Sequence, residues 1–228
     1  MEQSRIWDYF QNDDEVRGMA FNARPRYQHI AQTLERGMVV LNIGVGHGGL
    51  EMMLLERGIA VYCLDPSEKA IATIQKKLGS NQNARVGYSN AIPFEAGKFD
   101  AVVMTEVLEH LDTGTLVETL QEVKRVLRPD GRFMGTVPAD ENLLESRVMC
   151  PHCGVPFHRW GHVQSFDQQR LGALLRNTFG QAAISRHYFG DVLTLNWVGR
   201  LGWLAKSLLL KLGRAGSNET FFFAARSH

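Results

Sequence analysis

The sequence predicts an α/β fold: a Rossmann-like, doubly wound, mostly parallel sheet of seven strands with an antiparallel last strand. Three observations carry this. From residue 38, short apolar β-rich runs alternate with amphipathic helical runs. That rhythm builds a parallel sheet with right-handed crossovers, covered on both faces. The first strand run ends in a glycine cluster, LNIGVGHGGLE, and the second ends in Asp65, 21 residues after Gly44.

Taken in order, MVVLNI (38–43) is the first strand and GGLEMMLLERG (48–58) its helix. IAVYCLD (59–65) is the second strand and PSEKAIATIQKKLG (66–79) the second helix. Pro66 suits a first helical turn and Gly79 a C-terminal stop. ARVGY (84–88) is a weak third strand, and residues 89–97 are too few for a crossover helix. KFDAVVMT (98–105) is the fourth strand and TLVETLQEVKRVLRP (115–129) its helix. A Pro-Asp-Gly turn then precedes strand RFMGTVP (132–138). FDQQRLGALLRNTFG (166–180) is a further helix, and AAISRHYF (182–189) and TFFFAARS (220–227) are the last strands. Before residue 38, IWDYFQ and RPRYQHIAQTLERG read as two helices.

The 228 residues suit one domain with a well-buried core. Residues 1–37 form a helical cap, 139–166 a Cys/His loop and 190–219 a helical insertion. A net charge of +1 without a long basic run speaks against a nucleic-acid partner. Three cysteines make no disulfide framework, which points to a reducing compartment. The polar, acidic start carries no signal peptide, and no run of 18 apolar residues exists. A cytoplasmic protein is expected, at most peripheral on the inner membrane face.

Gly44, Gly46 and Gly49 satisfy G-x-G-x-x-G, a pattern that suits several nucleoside ligands. Glycines turn the backbone sharply and let a ligand approach without a Cβ clash. Asp65 offers a carboxylate to ribose hydroxyls. The segments YSNAIPFEAGKFDAVVMTEVLEHL and LQEVKRVLRPDGRFMGTVP narrow the choice. Together with the glycine loop, they resemble the class I S-adenosylmethionine-dependent methyltransferases, in the small-molecule branch that includes ubiquinone-biosynthesis O-methyltransferases. The resemblance spans about residues 38–180.

The resemblance implies S-adenosylmethionine as cofactor. Gly44, Gly46 and Gly48 match the loop against its methionine part, and Asp65 the ribose carboxylate. Tyr88, Ser89 and Asn90 match the adenine turn. Thr105 and Glu106 fall beneath the sulfonium. Asn42 stands where family members often carry Asp, and the adenine turn here offers only neutral groups. His110, in EVLEH, is the candidate base for an acceptor that must lose a proton. Its alternative role is a hydrogen bond to a neighbouring loop.

CPHCGVPFHRWGH packs two cysteines and three histidines into residues 150–162. Cys150, Cys153, His158 and His162 form Cys-x2-Cys-x4-His-x3-His, four ligand types suited to tetrahedral zinc. The expectation is a structural zinc that folds a lid over the acceptor site. Alternatively the thiols are free, and His162 is a pocket wall or a base.

The run LTLNWVGRLGWLAKSLLLKLGR has helical spacing, with Arg200, Ser207, Lys211 and Arg214 on a narrow polar face. Residues 195–212 of such a helix can lie in a membrane interface, pack on the body or join a homodimer. The expected reaction is methylation of an oxygen on a small or lipid-linked acceptor, such as a quinone precursor or a glycan. The alternatives are an RNA or protein methyltransferase that uses the Cys/His loop for recognition, and a non-catalytic cofactor-binding protein.

Overall fold

The computed structural model describes residues 23–79, 83–192, 195–213, 216 and 218–226. The segment IWDYFQ and Arg214 lie outside these residues. In chain order the elements are α1 (Arg24–Thr33), β1 (Val39–Ile43), α2 (Gly49–Glu56), β2 (Ala60–Asp65), α3 (Glu68–Leu78), β3 (Ala84–Val86) and β4 (Phe99–Thr105). A single 3-10 turn, Leu108–His110, leads to α4 (Thr113–Val126) and β5 (Leu127–Pro138). Then come β6 (Arg147–Met149), β7 (Pro156–His158), α5 (Gln168–Phe179), β8 (Gln181–His187), α6 (Trp197–Lys211) and β9 (Thr220–Arg226).

The main sheet has seven strands in the order β3-β2-β1-β4-β5-β9-β8. β1 to β5 run parallel, and β9 is antiparallel to both its neighbours. The near-continuous apolar run of β1 follows from its central place, where both faces are covered. Its side chains alternate between two cores. Val40 joins Val61, Val103 and Met134 beneath Ile30 and Leu34 of α1, Leu50 and Leu54 of α2, and Ile71 and Ile74 of α3. Leu41 and Ile43 join Met104 and Phe133 on the other face, beneath α4 and α5. The second half of the cap segment thus packs beside the sheet as α1.

Helix starts are set by short polar side chains. Ser67, Asp112 and Asp167 each accept a hydrogen bond from a backbone N–H in the first turn of α3, α4 and α5. Gly79 ends α3 in the left-handed region, at φ 63°. Residues 87–98 cross from β3 to β4 without a helix. Arg125 of α4 holds this crossing through the carbonyls of Ile92 and Phe94, at 2.8 and 2.9 Å.

One boundary differs from the sequence reading. β5 begins at Leu127, not Arg132. Leu127 pairs with Phe99, the register then shifts, and Arg132 pairs with Ala101. The Pro-Asp-Gly turn is an interruption within one strand, with Asp130 at φ 61°.

After β5 the chain leaves the sheet and returns through a narrow neck. Ala139 bridges Phe166, and Asp140 N donates to Phe166 O at 2.9 Å. The hairpin β6–β7 lies within this excursion. α6 rests on the β8 side of the molecule. Trp203 packs so close to Gly190 that a Cβ there would meet it at 2.6 Å, and Lys206 Nζ lies 3.9 Å from the Tyr188 ring centre.

Candidate active site at the carboxyl edge of the sheet

Parallel strands deliver their carboxyl ends to one edge, where ligands of open α/β sheets bind. β1 delivers the glycine loop there. Gly44, Gly46 and Gly48 have φ of 85°, 50° and 77°, a region that L side chains rarely adopt. At Gly44 a Cβ would meet Val107 at 2.7 Å, and at Gly48 it would meet Ile74 at 2.2 Å. At Gly46 the nearest atom would be the Tyr27 hydroxyl at 4.0 Å. A Cβ at Gly46 would therefore meet no steric clash, only ordinary contact with Tyr27.

The loop is braced from below. Asp65, 1% exposed, accepts from Val45 N at 3.0 Å and Ser67 N at 2.9 Å. Lys77 Nζ donates to His47 O at 2.7 Å. Asn42 is buried beneath the loop and donates to Glu51 Oε1 at 2.6 Å. Its side chain points into α2, not into the crevice. Burial pushes the Glu51 carboxyl up to about 7.

In the adenine turn, Ser89 and Asn90 are held by α4, through Thr119 at 2.8 Å and Glu118 at 2.9 Å. Tyr88 stays 69% exposed. Thr105 ends β4, and Glu106 follows at φ 54°. Glu106 pairs with Arg26 of α1 at 3.4 Å. Tyr27, whose hydroxyl is pushed up to about 12 mainly by burial, covers the loop from the same helix. Neither Arg26 nor Tyr27 carried a sequence signal, because α1 has no motif.

The second half of the site lies where the 139–166 lid meets the 3-10 turn. Val163 N and Gln164 N both donate to the Glu109 carbonyl, and Gln164 Nε2 donates to Leu111 O. This contact brings three histidines together. The His110 and His162 rings lie 4.6 Å apart edge to face, and His158 stacks on His162 at 4.6 Å. His110 Nδ1 is 3.2 Å from Gly161 O. A carbonyl only accepts, so the proton is on Nδ1. Burial, then the neighbouring His162, hold His110 well below the usual imidazole range. Glu141, at the start of the lid, bonds His162 Nδ1. Glu109 is fully buried, and neither of its carboxylate oxygens has a hydrogen-bond partner among the described residues. Burial, then the Glu106 charge, push its carboxyl well above the usual range.

The four expected zinc ligands are not brought together. Among the described residues, the groups with three ligand atoms within 4.8 Å of one another are Glu109/His110/His162 and Glu141/His158/His162. Neither contains Cys150 or Cys153. Those two thiols sit on the β6–β7 turn, where Gly154 N donates to Cys150 O at 2.9 Å. Backbone N–H groups of Cys153 and His152 and the Cys153 thiol lower the Cys150 pKa. Two thiolates are half of a tetrahedral set. His158 is disqualified by its proton. Its Nδ1 accepts from Trp160 N and His162 N, at 3.3 and 3.1 Å, so the hydrogen must be on Nε2. His158 thus folds the loop behind it.

Comparison with known proteins fits this geometry. Residues 41–135 match the family described as methyltransferase domain. An uncharacterized methyltransferase of Mycobacterium tuberculosis is 33% identical over 94 residues, 41% of this chain and 37% of that protein. A ubiquinone biosynthesis O-methyltransferase of Caulobacter vibrioides is 36% identical over 108 residues, 44% of this chain and 41% of that protein. The chain thus spans less than half the length of either. Among solved structures, the 1,6-didemethyltoxoflavin-N1-methyltransferase of Burkholderia thailandensis superposes with a TM-score of 0.67 at 19% identity, over 99% of this chain and 87% of that one. It was solved with 1,6-didemethyltoxoflavin and S-adenosylhomocysteine. A complex with the Haloferax volcanii Trm112 methyltransferase activator contains a chain with a TM-score of 0.68 at 18% identity, over 97% and 98%. In its match over residues 41–135, the strand order of its sheet and the glycine loop at the sheet's carboxyl edge, the chain is similar to the S-adenosylmethionine-dependent methyltransferases.

Proposed function

We propose that this protein transfers the methyl group of S-adenosylmethionine to an oxygen of a small or lipid-linked acceptor. The observation that carries this is a direct contact between the two halves of the site. Val107, beside Glu106, packs on Gly44 so closely that a Cβ there would lie 2.7 Å from it. The loop at the end of β1 and the segment that leads from β4 to the imidazole cluster are therefore in direct contact. The glycine loop, with Tyr27 beside Gly46, fits the cofactor. Gly44, Gly46 and Gly48 would hold its methionine part and Asp65 its ribose.

The bound cofactor supplies an electrophilic methyl on a good, neutral leaving group. The chain has to hold the acceptor oxygen in line and close. An oxygen acceptor must also lose a proton, and His110 is the candidate to take it. The lipid-linked option takes its support from α6. Trp197, Leu201, Leu204, Leu208 and Leu212 recur at helical spacing, and all are more than half exposed. Such a stripe suits a membrane interface. Among the described residues no helix is long and apolar enough to cross a membrane.

Calorimetric titration of the full chain with S-adenosylmethionine tests the reading. Saturable one-to-one binding, weakened at least tenfold by Asp65→Ala, is expected. Folded protein that takes up no cofactor would overturn it.

A further inference from the structure

We infer that Cys150 and Cys153 are a redox-active dithiol on the lid, which a small-molecule disulfide such as oxidised glutathione converts reversibly into an intrachain disulfide. The two residues sit at i and i+3 on the turn between β6 and β7. Backbone hydrogen bonds close that turn. Gly154 N donates to Cys150 O at 2.9 Å, and Cys150 N donates to Val155 O at 3.0 Å. The closure folds the segment back on itself and sets the Cys153 thiol against the Cys150 sulfur. Joining the two sulfurs therefore asks for side-chain rotation and leaves the hairpin in place.

The third cysteine makes the contrast. Cys63 is 0% exposed in β2, donates to Glu51 at 3.9 Å, and burial pushes its thiol away from ionisation. Cys150 is the reverse, because the N–H groups of Cys153 and His152 point at its sulfur and favour the thiolate. Cys153 is exposed, and the flanking Met149 and Val155 are 69% and 52% exposed. The tip thus stands in solvent, where a small disulfide reaches it. A hydrogen-bonded thiolate beside a second thiol is the arrangement that exchanges with disulfides. The Cys150 thiolate attacks one sulfur of the small disulfide, forms a mixed disulfide and expels one thiolate. Cys153 Sγ then attacks Cys150 Sγ, closes the ring and expels the second. Two protein thiols are oxidised, one small disulfide is reduced to two thiols, and the protons lost by the cysteines end on those thiols. Excess reduced thiol runs the sequence backwards. In a reducing compartment such a bond is transient, as redox-sensing disulfides are. The hairpin it ties ends in His158, so oxidation stiffens the lid beside the histidine cluster.

The test treats the full chain, reduced and stripped by chelation, with oxidised glutathione at neutral pH, and reads intact mass, peptide mapping and amide exchange. The parent should lose two hydrogen atoms, with the bond mapped to Cys150 and Cys153 and Cys63 still free. Reduced glutathione should restore it. Cys153→Ser should stop at one glutathione per chain, carried on Cys150. Cys150→Ser should react at least tenfold more slowly than Cys153→Ser. Both substitutions lie on the solvent-facing turn, and both variants should melt like the reduced parent. Amide exchange over residues 150–155 should slow at least threefold on oxidation of the parent. The inference is overturned by a parent that stays reduced, by one that stops at bound glutathione or joins two chains, by Cys150→Ser that reacts as fast as Cys153→Ser, or by exchange that oxidation leaves unchanged. None of these readouts uses S-adenosylmethionine, so the dithiol and the methyl-transfer reading stand or fall separately.

Discussion

Glu51 illustrates what a single buried residue does to the whole. Its carboxyl is 0% exposed under the glycine loop and is raised to about 7, first by burial and only then opposed by the Asn42 hydrogen bond. In the unfolded chain it ionises near its ordinary value of 4.5. Between these values the folded state binds more protons than the unfolded one, so stability falls as pH rises from about 4.5 to 7 and then levels off. Glu51→Gln keeps an acceptor for Asn42 and removes the charge. Urea denaturation should show the variant more stable than the parent by about 3 kcal/mol at pH 8, and no more stable at pH 4. At this scale the sequence was least informative. Spacing named His158 and His162 alike, yet backbone N–H groups at Trp160 and His162 fix the proton of one and Glu141 fixes that of the other. A tautomer depends on a partner from elsewhere in the fold, and no spacing rule contains it.

Among the elements, α5 and α6 make the useful contrast. α5 is capped by Asp167, which accepts from Arg170 N at 2.7 Å, and it buries Leu171, Leu175 and Phe179. Its helical periodicity was legible in FDQQRLGALLRNTFG, and the structure adds the Asp167 cap. Asp167→Ala should cost about 1 kcal/mol in thermal or urea unfolding, and Asp167→Asn much less. α6 was equally legible as a helix but not as a surface. Its pattern left lipid, body and second copy open as partners. The structure turns Trp203 inward and Trp197, Leu201, Leu204 and Leu208 outward. Liposome flotation of the chain should therefore be lost in the double variant Leu201→Glu, Leu208→Glu, with cofactor affinity unchanged. Flotation that persists would remove α6 as the lipid contact. A shift in oligomeric state in its place would make the stripe a dimer face.

For the molecule as a whole, the mostly parallel sheet and its two-sided core followed from the alternation of runs, because a right-handed crossover leaves few topologies. The site followed only in part. Gly44, Gly46, Gly48 and Asp65 lie together at the end of β1 and β2, while Asn42 points into the core and Ser89 and Asn90 are held by α4. The Cys/His motif was split because its cysteines cap a hairpin turn, whereas its histidines dock against Glu109 and Glu141. Those carboxylates lie outside the motif in sequence. Long-range ties of this kind also join the last strands to the lid. Arg186 of β8 bonds Glu219 at 2.9 Å, next to β9, and also Asp140. Arg186→Met would leave the buried Glu219 without that partner and should lower stability in urea denaturation by about 2 kcal/mol at neutral pH.

The neck at Ala139 and Phe166 has a consequence of a different kind. Where a chain leaves and re-enters at one point, the sheet itself meets the two stumps, and the 3-10 turn holds the excursion through Gly161, Val163 and Gln164. The length and composition of what lies between can drift with little effect on the sheet, since closing a somewhat longer loop costs little. Glu141, His158 and His162 all lie beyond that point, while the cofactor cradle lies before it. The chain is thus divided into an inherited engine and an exchangeable cartridge. Under the proposed function, grafting another lid between residues 139 and 166 is a way to give the same methyl donor a different customer.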